Sequence, residues 1–344
     1  MNDMKLSELV AKAYRKRQLK YVFICSILAL IVIGLIYIGM TFGNTIYSPR
    51  VVWENLVGIR DDNKFTIVTL RFPRVLIGLL CGISFGIAGN TFQRIFQNPL
   101  ASPDIIGVTS GAALGAMICM LVFKLNASIT SIVALTFGMA VATIIYVISG
   151  GKGFQNGSLI LIGIGMQAFL RAVISWILLK ASSYDVGNAL RWLSGSLNNM
   201  KIEYAYPLAI VLVIVLIFVF SMGKTVSVIQ LGDELSSTLG ARPTFSRTVL
   251  IFLTLLLTAF ATAATGPIAS ISFLAGPIAS RISSSGRNNM VSSALVGAIL
   301  VLASDLVGQY AFAVKYPVGV ITGILGAPYL LFLLFNMNKK GASA

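Results

Sequence analysis

Two ionisable residues stand inside otherwise uncharged runs, Arg171 in the run 158–180 and Asp305 in the run 290–312. If those runs cross a bilayer, a charge near its centre costs at least about 2.5–3.5 kcal/mol and is kept beside a partner or a water-filled cavity. Each residue is therefore either satisfied by a neighbouring helix or placed on a pathway, and the sequence leaves both readings open. Further chemistry is poorly supplied. There is no histidine, and Cys25, Cys81 and Cys119 lie singly in apolar runs without a CxxC spacing. Zinc sites, disulfide frameworks and histidine-assisted nucleophiles thus have no residues to build on. One carboxylate is also a thin supply for a carrier that binds its driving ion on intramembrane Asp, Glu or His. The chain reads as a non-enzyme without a cofactor of its own.

A second patterned region lies in the polar segment 223–247. The stretch Gly232-Asp233-Glu234-Leu235-Ser236-Ser237-Thr238-Leu239-Gly240 predicts a short helix, with Asp233 capping its start, Leu235 and Leu239 on one stripe, and Gly240 ending it ahead of Pro243. Such a ridge outside the membrane either rests on lipid or docks a partner.

The elements that position these residues follow from composition. Of 344 residues, 57 % are hydrophobic and 11 % charged, too little polar surface for a water-soluble fold, so the chain belongs in a bilayer. A crossing needs about 20 apolar residues, and such runs fall near 21–43, 75–93, 105–123, 127–149, 158–180, 204–222, 248–264, 267–280, 290–312 and 317–337. The uncharged stretch 248–280 is too long for one upright helix and breaks at Gly266-Pro267. The expected architecture is all-α and polytopic: a basic N-terminal segment 1–20, a ten-helix domain 21–337 carrying the loop 223–247, and a tail 338–344. Lys5, Lys12, Arg15, Lys16, Arg17 and Lys20 place the N-terminus in the cytoplasm, and an even span count returns the C-terminus there. Alternation then puts 15 Lys and Arg inside and 10 outside, the outer segment 44–74 being unexpectedly basic. The net charge of +15 is spread between apolar runs without an aromatic-interleaved patch, which speaks against nucleic acid. Glycines at 78, 82 and 86, at 111 and 115, and at 319 and 323 recur every four residues, the spacing of closely approaching helices, within one chain or across a dimer seam.

Several motifs carry a family resemblance. Arg71-Phe72-Pro73-Arg74, Gly89-Asn90-Thr91-Phe92-Gln93 and the run Asn98-Pro99 to Ile106-Gly107 resemble the iron-siderophore and vitamin B12 importer permeases of the ABC class. Arg191-Trp192-Leu193-Ser194-Gly195-Ser196, the Gly232–Gly240 loop, Gly266-Pro267-Ile268 and Tyr316-Pro317-Val318-Gly319 follow in the family's order, so the resemblance covers about residues 20–337. It implies a BtuC-like type II importer permease of about ten spans. It also implies partners: a second, identical or different permease subunit, two cytoplasmic ABC ATPases that bind the ATP and magnesium, and an extracytoplasmic siderophore-binding protein.

The same resemblance implies roles. Gly232, Asp233, Glu234, Leu235, Ser237, Leu239 and Gly240 match the coupling helix that seats on the ATPase. Arg71 and Arg74 match outward arginines that meet acidic residues of the binding protein. Asn156, Gly157 and Ser158 fall where relatives close an inner gate, and Arg171 is the candidate on the path. Two positions depart from the pattern: Gly276-Pro277 replaces a Pro-His pair, and Gln309 replaces an arginine four residues beyond Asp305, a loss that Lys315 would offset. The expected cargo is a ferric chelate passing mostly uncharged walls, since this chain has no hard-ligand cage for bare iron. An ion-driven secondary carrier is the rival reading, and a non-transporting membrane subunit a third.

Overall fold

The computed structural model describes residues 2–149, 157–268, 270–283 and 289–341. Fourteen α-helices run in the order α1 Asn2–Thr41, α2 Pro49–Val57, α3 Phe72–Ile95, α4 Val108–Met117, α5 Ala127–Ile148, α6 Gly157–Lys180, α7 Ser183–Leu193, α8 Ala205–Ser221, α9 Gly223–Ile229, α10 Asp233–Thr238, α11 Pro243–Thr265, α12 Ile271–Ser283, α13 Met290–Tyr310 and α14 Val318–Gly341. Wider π-helical turns lead into α3 (Phe65–Arg71) and out of α4 (Ile118–Val122), and there is no strand among the described residues. Among the described residues, seven stretches are long and apolar enough to cross a membrane: Lys12–Thr41, Phe65–Ile95, Ala127–Ile148, Leu159–Lys180, Ile202–Ser221, Pro243–Thr265 and Met290–Tyr310. The remaining three expected spans also carry helices, the shorter Val108–Val122 and Val318–Leu333 and the 13-residue α12. At a 1.5 Å rise per residue, α12 reaches only about 20 Å, short of the hydrocarbon thickness. The break at Gly266-Pro267 is real: α11 ends at Thr265, and Gly266 turns the chain at φ +75°.

Burial separates a central helix from a periphery. In α3, 78 % of the apolar window is buried, against 22 % in α6 and 11 % in α1. Glycine is the reason α3 sits so deep. A methyl group at Gly82 would strike the backbone of Gly297 and Ala298, one at Gly86 the carbonyl of Ser293, and one at Gly89 the carbonyl of Ser272. The repeated glycines therefore pack α3 on α13 and α12 within the chain. Gly111 and Gly115 do the same for α4 against α5, whereas Gly323 faces open space.

Where α7, α11 and α14 meet, backbone bonds replace side chains. Ser196 N donates to Thr265 O at 2.8 Å, Gly195 N to Trp192 O at 3.0 Å, and Gly319 N to Gly195 O at 3.1 Å. Three of the motifs read from the sequence thus converge on one junction.

Pro277 lies inside α12. Lacking an N–H, it leaves the carbonyl of Phe273, four residues earlier, without its helical donor. Gln93 Nε2 from α3 supplies one at 3.1 Å, and Gly276 is the residue that leaves room for the Gln93 amide. Replacing Gln93 by Leu should destabilise the protein by about 1–3 kcal/mol, the cost of an unsatisfied buried carbonyl. Thermal unfolding in detergent would read this as a lower midpoint, and an unchanged midpoint would remove Gln93 from the account of α12.

Candidate functional site

The segment α9–α10 presents an exposed apolar ridge outside the spans. Leu231, Leu235 and Leu239, each four residues apart, are 57–64 % exposed, while Ser236 on the opposite side is buried. The ridge is held firmly from behind. Arg247 in α11 makes a two-pronged ion pair with Asp233, Nη2 to Oδ1 at 2.6 Å and Nη1 to Oδ2 at 3.0 Å. Arg94 Nη2 donates to Ser227 Oγ at 3.3 Å, and Gln97 Nε2 donates to Gln230 O at 3.1 Å, tying α9 to the end of α3. One local expectation is corrected: Asp233 is the first helical residue and makes no capping bond, because its carboxylate is turned to Arg247, and Gly232 takes the N-cap at φ +101°. Gly240 closes the helix at φ +79°, as the sequence predicts. Glu234 and Ser237 are exposed beside the ridge, Ser237 Oγ donating back to Asp233 O at 2.7 Å.

At the opposite end of α3, Arg71, Arg74 and Lys315 do come together around one basin of about 340 Å³ that also takes in Asp305 and Gln309. Their charges differ in availability. Arg74 grips Asp305 with Nε at 2.8 Å and Nη2 at 2.7 Å, and its Nη1 donates to Asn198 Oδ1 at 2.7 Å. Asp305 is thereby explained as one half of a buried pair, and Gln309 completes it by donating to Oδ2 at 2.7 Å. Arg71 donates to Met40 O at 2.9 Å and Thr45 O at 2.7 Å and lies over the Tyr47 ring, closing the end of α1. Of the three expected docking cations, Lys315 is the one left free among the described residues, and it is exposed. Arg191 and Lys201 are further exposed cations beside adjoining hollows, which sequence reading did not single out because nothing local distinguishes them. The basic segment 44–74 also explains itself: Arg50 pairs with Glu54, Arg60 with Asp62, and Lys64 with Asp61, at 2.7–2.9 Å. On α7, Asp185 is held below the usual carboxylate range, first by the Ser182 hydroxyl and then by Lys124.

Between these two ends lies a cavity of about 530 Å³ against α6, walled by Asp104, Thr109, Gln167, Arg171, Ser175 and Pro267, among others. Arg171 is exposed here. Asn156 lies outside the described residues; Gly157 and Ser158 open α6, at the far end of the same helix.

Comparison with known proteins agrees with this geometry. The model of the FecCD transport family matches residues 29–336. The chain is 34 % identical to the ferric enterobactin transport system permease protein FepG of Escherichia coli, covering 88 % of this chain and 92 % of that one. It is 33 % identical to the Fe(3+)-citrate import system permease protein YfmE of Bacillus subtilis, covering 96 % and 100 %. A metal-chelate type ABC transporter solved in an inward-facing conformation superposes with a TM-score of 0.79 at 24 % identity, covering 92 % of this chain and 99 % of that one; this likeness concerns the fold.

Breaking the outer pair should be costly. Arg74→Met leaves the buried Asp305 carboxylate with the Gln309 amide alone and should lower stability by about 3–5 kcal/mol, whereas Arg74→Met with Asp305→Leu should recover most of that loss. Unfolding midpoints in detergent would decide: equal losses in the single and double variants would mean that the two side chains are not coupled.

Proposed function

The chain belongs to the FecCD transport family, and from that membership we propose that it is the membrane permease subunit of an ABC importer carrying a ferric-siderophore complex into the cell. ATP is hydrolysed by two separate cytoplasmic subunits. A second permease subunit completes the path, and an extracytoplasmic binding protein delivers the cargo. The observation that carries this reading is the ridge Leu231-Leu235-Leu239. Leu235 on the short helix and Leu231 and Leu239 at its two ends are exposed, buttressed by an ion pair and two hydrogen-bonded ties, and no hydrophobic cluster among the described residues covers them. A lipid-resting helix has no need of such rigid backing, whereas a helix that must transmit force does.

In this reading α10 faces the cytoplasm with both termini, in keeping with the basic residues at 12–20. The basin at the opposite end of α3 then faces outward. There Lys315, with Arg191 and Lys201 nearby, offers the free positive charge that acidic groups of a binding protein would meet, and such charges set association rate and register. Arg71 and Arg74 hold the shape of that surface. Ion-gradient coupling has less to work with: the outer-half carboxylate Asp305 is already locked to Arg74.

Leu235→Asp with Leu239→Asp should abolish co-purification of the ATPase subunits and ATP-dependent uptake while membrane insertion stays intact; full uptake by that variant would exclude α10 as the coupling element. Lys315→Glu should slow capture of the loaded binding protein about tenfold at low salt, with the difference fading as ionic strength rises. Capture rates that are equal at low salt would take Lys315 out of the docking face.

A further inference from the structure

The cavity beside α6 holds a charge that the fold does not use. Arg171 lies 14 residues into α6 and nine from its end at Lys180, so about 13 Å of helix separates it from the nearer terminus, beyond the reach of its own side chain. It is exposed, and its guanidinium has no hydrogen-bond or ion-pair partner among the described residues. Gln167, Arg171 and Ser175 follow one another at four-residue steps along the side of α6 that lines the cavity. The one carboxylate in the wall, Asp104, is engaged elsewhere: its oxygens accept from Thr109 Oγ1 at 2.8 Å and Ser102 Oγ at 3.2 Å, and it makes no ion pair with Arg171. Gln167 is held in place by donating to Asp104 O at 2.6 Å.

A cation within a membrane-spanning helix is kept where a partner or water offsets its desolvation. Here the wall provides a cavity open enough for water and no anion paired with Arg171 among the described residues. We propose that Arg171, with Gln167 one turn away on the same stripe, is the specificity-determining group of the path, a transient station for anionic oxygens of the cargo; the Ser175 hydroxyl is spent on the Arg171 carbonyl at 2.9 Å. The transporter thereby favours ferric chelates of net negative charge, of the carboxylate or catecholate class, over neutral or cationic ones. This inference rests on the importer reading above. It is compatible with mostly uncharged walls, because a single exposed guanidinium in an open cavity attracts an anion without the full set of partners that would trap it.

The test uses the complete complex with its ATPase and binding protein in liposomes, loaded with radioactive iron as ferric citrate or ferric enterobactin (anionic), ferrichrome (neutral) or ferrioxamine B (cationic). Comparing each variant with the wild type, chelate by chelate, cancels the binding protein's own preference. Arg171→Gln should lower ATP-driven uptake of the anionic chelates about tenfold or more, leave any neutral or cationic uptake within about twofold, and Arg171→Lys should restore most of the loss. Wild-type anionic uptake by Arg171→Gln would overturn the proposal, as would an equal loss for every chelate the wild type carries. A preference of the wild type for ferrioxamine B would overturn it too. A wild-type complex that hydrolyses ATP and imports no chelate at all would instead defeat the importer reading itself, and this inference with it.

Discussion

Backbone-to-backbone contact along α3 is the constraint on which the rest of the molecule depends. Lipid gives two apolar helices little reason to prefer each other over acyl chains, so association inside a bilayer rests on close packing and on polar contacts. Gly82, Gly86 and Gly89 let α3 lie directly on the backbones of α13 and α12. Because the glycine faces bring the chains so near, the polar side chains of α3 can reach across: Gln93 to a carbonyl freed by Pro277, Arg74 to Asp305, Arg94 to Ser227. The same helix therefore anchors the outer basin, the middle of the bundle and the apolar ridge. A larger residue at any of the three glycines would spread all of these contacts at once.

Charge is handled by a consistent rule. At the membrane faces, cations are matched to nearby acids or to the carbonyls of helix ends, as in the pairs of segment 44–74 and the closure of α1 by Arg71. Exposed pairs of this sort contribute little stability each, and their effect is to offset most of the charge of a basic segment. Toward the interior, carboxylates have their acceptors filled, Asp305 by an ion pair and an amide and Asp104 by two hydroxyls. Arg171 obeys neither pattern, and that departure is what makes the cavity beside α6 informative.

The ten helical stretches, the break at Gly266-Pro267 and the short helix ending at Gly240 were legible in the sequence, because each follows from a local signal: run length, a helix-breaking pair, a residue suited to positive φ. Contacts between distant positions were not. Arg74 and Asp305 are 231 residues apart, and nothing in either neighbourhood announces the other, so Arg74 read as a docking cation and Asp305 stayed open between a helix partner and a pathway role. Asp233 fits the local rule for a cap as well as any residue could, yet Arg247, fourteen positions away, has the stronger claim on it. Gln93 read only as part of a motif; its role became visible once the carbonyl freed by Pro277 was seen to lie beside it.

These ties also define how a push on the ridge would travel. Helix α10 touches α9 and α11, and its one ion pair is to Arg247, in the first turns of α11. The whole of α11 is 23 residues, about 34 Å, and it ends at the junction at Gly266, where Trp192, Gly195 and Gly319 meet through backbone atoms. Pro267 and Ile268, immediately beyond, form part of the cavity wall facing Arg171. A rigid helix bonded at one end to the ridge and ending at the other in the wall of the cavity gives a displacement of α10 a direct mechanical outlet. Backbone contacts at the junction leave it little slack, since they lack the rotamer freedom with which side chains absorb small shifts. In an importer this arrangement would change the shape of the path without requiring the central α3–α13 packing to break.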